Sequence, residues 1–257
     1  MVALQPAALA PARPSGTLPA AAGEAAGTVG RAAPPALSSV EAADPYSFCA
    51  ELWRSVACPG GIFNAVMAHP FLTSLTEGSL PDEVFQGYVV QGCLYLWEYA
   101  RALAVLAAKA PRPAWTAFLG HCVQEACLEE DTFHKEFLAY YRTTVEQETR
   151  ETRLSPYSQL YASFILATAH ERPFYEGLAA VLPCFVLYLE MGKALLAKGS
   201  PHPLYQRFID RFSGADYEKL SLDVCGMMNE AAAELGDAQA SSGHVLGLGS
   251  CPWMCAA

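Results

Sequence analysis

The sequence predicts an all-α single domain, a helical bundle enclosing a site for a small molecule. Three observations predict it. Apolar residues between 82 and 110 (Val84, Phe85, Tyr88, Val89, Leu94, Tyr95, Leu96, Tyr99, Leu103, Leu106) recur at steps of three and four. Pro and Gly punctuate the chain at helical intervals, and no stretch shows the alternation of a strand. Long helices of this kind pack around one another and leave ligand sites between them.

Residues 1–44 open the chain as an Ala/Pro-rich leader with Arg13, Glu24 and Arg31 as its charges up to residue 40, and without the large apolar residues that build a core. It reads as an unstructured tail or an organellar transit peptide. The helical domain is expected over 45–235. Its helices are placed at roughly 46–57, 62–76, 82–110, 114–147, 157–170, 173–197, 202–212 and 215–235. The helix from 82 has the clearest start, Gly78-Ser79-Leu80-Pro81-Asp82-Glu83, with a Pro and two acids at the positive end of the helix dipole. Pro111 and Pro113 mark its end. Residues 236–257 have no helical period and are expected as an unstructured tail.

With 257 residues, 53% of them hydrophobic, the chain can bury a sizeable core. A net charge of -10 and a pI near 5.0 exclude a nucleic-acid surface, which needs clustered Lys and Arg. Nine cysteines, an odd number with no CxxC, point to free thiols in a reducing compartment, here the cytoplasm, or a plastid or other organelle if the leader is a transit peptide. No uninterrupted apolar run reaches the ~20 residues of a membrane span. The expected partner is a small molecule, with no metal, cofactor, nucleic acid or membrane.

The most apolar segment, Val181 to Gly192, places Cys184 and Tyr188 four residues apart on one helical face. A thiol and a phenol at that spacing can serve nucleophilic catalysis, and buried cysteine is equally at home as a small core residue. Glu130 and His134 at i, i+4 read as a structural helix pair. Asp131 and His134 have the carboxylate-x-x-His spacing of di-iron bundles, but no other histidine repeats it. His69, before Pro70, reads as a cap at a turn rather than a haem ligand.

Several motifs occur in one order: His69-Pro70-Phe71, Gly78-Ser79-Leu80-Pro81 followed by Phe85, Tyr88 and Gln91, Glu130 with His134, Ser155-Pro156, Leu182-Pro183-Cys184, and His202-Pro203-Leu204-Tyr205. Over about residues 46 to 220 they resemble the TenA/thiaminase II family, which has the heme-oxygenase-like helical fold. The resemblance implies hydrolysis of an aminopyrimidine, or of thiamin, to hydroxymethylpyrimidine for thiamin salvage. It implies Cys184 as nucleophile with Tyr188 as its hydrogen-bond partner, Tyr95 and Tyr161 lining the pyrimidine pocket, and Phe212 as a further pocket aromatic. It also implies a homo-oligomer. The chain departs from the pattern in two places. Gly92 stands where the family carries an aspartate for the pyrimidine amino group, and the final helix with its acid-base glutamate is expected to be missing or replaced. A catalytically inactive member that binds an aminopyrimidine, or an interaction protein, is the alternative, and an oxidase of the quinone-cofactor kind a third.

Overall fold

The computed structural model describes the backbone of residues 37–244 and the side chains of 37–128 and 132–235. Among these residues every regular element is helical. The order is α1 (Ser39–Ala43), α2 (Phe48–Ala57), α3 (Ile62–Met67), α4 (Pro70–Glu77), α5 (Asp82–Lys109), α6 (Pro113–Glu129), a π-helical turn (Glu130–His134), α7 (Lys135–Tyr140), α8 (Val145–Thr149), α9 (Pro156–Glu171), α10 (Phe174–Leu196), α11 (Pro203–Ser213) and α12 (Ala215–His244).

Four boundaries differ from the sequence expectation, each for a local reason. Helix α1 lies inside the expected leader, where Ser38 and Glu41 form a reciprocal capping box. The segment expected as one helix over 62–76 breaks at His69-Pro70, because the residue before a proline is pushed out of helical geometry. His69 Nδ1 then accepts the Phe71 N–H at 3.1 Å, so the histidine is a cap. The expected helix 114–147 is divided by the π-helical turn, by Arg142 in left-handed backbone (φ 58°) and by the Thr144 cap of α8. At the other end α12 continues to His244, so residues 236–244 are helical rather than loose. Residues 245–257 of the expected tail, and 1–36 of the leader, lie outside the described residues.

Two cores meet in the bundle. One gathers residues of α2, α5, α9, α10 and α12 around Leu103, Leu106, Ile165 and Val181. The other gathers residues of α4, α5, α7, α10 and α11 around Phe85, Phe137, Tyr205 and Phe208. Helices α5 and α10 run through both. By length and composition α10 could cross a membrane, contrary to the expectation from uninterrupted runs, but 83% of its most apolar stretch is buried inside the bundle. A helix apolar on all sides is what a central position requires.

Pro183 sits within α10 and has no N–H for the carbonyl one turn earlier. Around it, carbonyls of α10 receive hydroxyls from three other helices. Tyr161 of α9 donates to Ala180 O at 3.2 Å, Tyr99 of α5 to Val181 O at 3.0 Å, and Tyr217 of α12 to Cys184 O at 3.0 Å. Ser221 of α12 donates to Phe185 O at 3.4 Å. The proline-weakened turn is thereby tied from all sides.

Where α10 meets α1, buried Glu190 accepts the Val40 N–H at 3.3 Å. Burial pushes its carboxyl from an ordinary 4.5 up to about 7, against the opposing pull of the Val40 and Ser39 amides and with help from the Glu218 and Glu41 charges. The folded protein therefore holds this proton more tightly than the unfolded chain. Its contribution is fully present below about pH 4.5 and is lost as pH rises through 7. Glu190→Gln keeps an acceptor for Val40 without the charge. It is expected to match the parent near pH 4.5 and to exceed it by about 1–3 kcal/mol at pH 8, checked by thermal denaturation across that range.

Candidate active site

Between the two cores lies a cavity of about 110 Å³. That is of the order of an engineered ~150 Å³ cavity that takes up benzene, so one aromatic ring is a reasonable occupant. Of the residues singled out in the sequence, Cys184, Tyr188, Tyr95, Gly92 and Phe212 all line it. Tyr161 does not reach its wall.

Cys184 is buried, and the phenols close to its sulfur are Tyr95 at 2.6 Å and Tyr161 at 3.4 Å. Tyr188, expected in that role, has its hydroxyl 2.9 Å from that of Tyr88 on α5. The i, i+4 spacing brings Cβ atoms together, but a phenol reaches a ring length beyond a thiol and meets the facing helix. Tyr161 stands behind the wall, its ring stacked on Tyr95 with centroids 5.8 Å apart and planes 10° from parallel. It supports the sulfur and Tyr95 instead of touching a ring in the cavity.

Burial, and then the neighbouring Cys184 and Tyr161, hold the phenols of Tyr95 and Tyr99 well above the ordinary range. Both are held protonated at neutral pH and can donate. For Tyr95 the acceptor at hand is the Cys184 sulfur. A thiolate formed there meets a short, charge-assisted hydrogen bond, one of the two ways a protein stabilises this anion.

The walls are aromatic. Tyr188 packs on Phe212 with centroids 4.7 Å apart, and Phe212 meets Tyr217 edge-on at 5.2 Å. Phe212 comes this close to α10 because Gly192 lies under its backbone, where a Cβ would stand 2.5 Å from the Phe212 carbonyl carbon. Gly92 plays the same part on α5. A Cβ there would be 3.1 Å from His134 Nε2, so the imidazole occupies the ground an acidic side chain at 92 would need.

His134 was read from the sequence as structural, and it is a wall residue of the cavity. It is buried, burial pushes its pKa down to about 4, and its Nδ1 has no hydrogen-bond partner. The ring is neutral at pH 7 and able to exchange one hydrogen bond with a ligand. The side chains of Glu130 and Asp131, weighed above as its partners, lie outside the described residues. Sequence reasoning also missed Tyr88, Cys122, Glu125, Arg211 and Tyr217 on this wall. The i, i+3 spacing of Cys122 and Glu125 on α6 was the available signal, masked by a helix of weak amphipathicity. Among the described residues no three His, Cys, Asp or Glu side chains converge as a metal would require.

Known proteins resemble this chain over much of its length. The chain is 33% identical over 146 residues to the aminopyrimidine aminohydrolase of Bacillus subtilis, covering 57% of this chain and 61% of that protein. It is 30% identical over 201 residues to the thiamine biosynthesis multifunctional protein ThiED of Corynebacterium efficiens, covering 77% of this chain and 25% of the relative. It thus spans less than two thirds of either. Among solved structures, a TenA homologue from P. horikoshii superposes with a TM-score of 0.73 at 25% identity, covering 82% of this chain and 95% of that one. Residues 61–246, which contain the whole cavity wall from Tyr88 to Leu220, match the TENA/THI-4/PQQC family, and the chain belongs to that family.

Proposed function

We propose that this chain hydrolyses an aminopyrimidine of the thiamin-salvage class, releasing an amine and hydroxymethylpyrimidine, with Cys184 as nucleophile. The observation that carries the reading is the Cys184 sulfur on the wall of a ring-sized aromatic cavity, 2.6 Å from the protonated Tyr95 phenol. The aminopyrimidine aminohydrolases of Bacillus subtilis and Halalkalibacterium halodurans, at 33% and 28% identity, support the substrate class.

In this scheme the pyrimidine ring lies against Tyr95, Tyr188 and Phe212, which supply flat contact area at low entropic cost. The sulfur adds to the pyrimidine-bearing carbon system, the bond from carbon to the departing amine breaks, and the amine leaves with a proton. Water then supplies the hydroxyl oxygen, and the thiol regains its proton. Tyr95 steadies the sulfur whenever it carries negative charge, at its formation and again at its release. Neutral His134 offers its free Nδ1 to a polar group of the ring.

Purified protein incubated with the aminomethyl-aminopyrimidine, and separately with thiamin, is expected to form hydroxymethylpyrimidine, followed by chromatography. Absence of product from both substrates overturns the reading. A non-catalytic pyrimidine binder is the second reading, favoured by the bare Gly92, and saturable binding without turnover would establish it in place of the first.

A further inference from the structure

The family pattern implies an aspartate at position 92 and a glutamate on a further, final helix, and neither is found among the described residues. Gly92 has no side chain, and the space in front of it belongs to His134. Among the described residues no helix follows α12. Yet one carboxylate does stand among the described lining residues: Glu125 of α6.

Glu125 lies one turn from Cys122, which lines the same cavity. The two are close enough for the Glu125 charge to act on the Cys122 thiol, which burial in the first place, and Glu125 after it, push up to about 12. Cys122 in turn acts on Tyr99, which acts with Cys184. The carboxylate thus sits on a continuous wall that leads to the nucleophile. It is only half-buried, in contrast to the sealed Cys184. The cationic side chain on the wall, Arg211, is on α11 and lies over the ring of Tyr217 at 5.5 Å.

The geometry points to Glu125 as the acceptor for the ammonium group of an aminomethyl-pyrimidine, an inference that rests on the function proposed above. An alkyl amine on the substrate is cationic at neutral pH, and a cation entering an aromatic cavity is favoured where a carboxylate lines it. The hydroxymethyl product is neutral and loses that attraction. Glu125 therefore selects the amine-bearing substrate over the alcohol it becomes, which favours product release as well as capture. The position differs from both carboxylates of the family pattern: it is on α6 and needs no residue at 92.

Isothermal titration of the full chain carrying Cys184→Ser, which prevents turnover, tests this with two ligands, the aminomethyl- and the hydroxymethyl-aminopyrimidine. Glu125→Gln in that background is expected to weaken the aminomethyl ligand by about 10-fold or more and to change the hydroxymethyl ligand less than about twofold. Glu125→Asp, which keeps the charge on a shorter stem, is expected to retain a measurable preference for the amine. Equal loss for both ligands would make Glu125 a residue of cavity shape, and no loss would remove it from the site. Either result overturns the inference while leaving the proposed function standing. Failure of the chain to bind either pyrimidine before any change at 125 would instead overturn the proposed function, and the inference with it.

Discussion

Cys184→Ser is expected to lower hydroxymethylpyrimidine formation by at least about 10³-fold while leaving the fold and pyrimidine binding intact. Serine is close to cysteine in size and can keep a hydrogen bond to Tyr95. A hydroxyl, however, is a far poorer nucleophile than a thiol at neutral pH, and the Tyr95 phenol beside residue 184 is held protonated by burial, so it can donate to the residue but not take its proton. In the proposed reaction a thiol serves better than a hydroxyl because it ionises more easily and is intrinsically more nucleophilic. Steady-state turnover of the variant checks this, with circular dichroism as the control for folding. Activity within tenfold of the parent would mean that the sulfur does not form the bond to carbon.

Gly192→Ala is expected to be strongly destabilising. The added Cβ would stand 2.5 Å from the carbonyl carbon of Phe212 and 2.8 Å from both its oxygen and the Ser213 nitrogen. All three are backbone atoms, so relief requires α10 and α11 to separate. A loss of about 2–3 kcal/mol follows, or roughly 5–10 °C in Tm. Gly177→Ala is the informative comparison. Its nearest neighbour, also at 2.5 Å, is the Leu106 Cδ2 methyl, the end of a side chain that can turn away, and its nearest backbone contact is Ala169 Cα at 3.3 Å. A cost of about 1 kcal/mol is expected there. Scanning calorimetry of the pair separates an immovable neighbour from a movable one. Gly192→Ala should also raise KM, because the Phe212 ring that packs on Tyr188 moves with its backbone.

The long helices were legible because their signals are local. Pro81 with Asp82 and Glu83, and the pair Pro111 and Pro113, bracket α5 within a residue or two of its observed span. The division of 114–147 was not legible, since Glu130–His134 has no Pro or Gly to mark the π-helical turn and Arg142 carries no mark of its left-handed backbone. In the site, Cys184 stood out through the segment around it. Its phenolic partners did not, because Tyr95 and Tyr161 lie 89 and 23 residues away and only packing selects them over Tyr188. The place of His134 on the cavity wall was hidden for the same reason, since it faces Gly92 on another helix, which no spacing within the sequence reveals. Gln91, part of the same motif, serves the scaffold: its side chain bonds Arg153 O at 3.0 Å and the Ser155 N–H at 2.8 Å, fixing the approach to α9.

The hydroxyls that hold α10 around Pro183 come from Tyr99, Tyr161, Tyr217 and Ser221, on three helices spread from one end of the domain to the other. The nucleophile's backbone is consequently an assembly product, correct only when α5, α9 and α12 are all docked. Partial structures of the chain would contain Cys184 on a helix and still lack a site. Loosening of α12 alone would release two of the four ties while the rest of the bundle stayed folded, so the proposed activity should be lost before global unfolding.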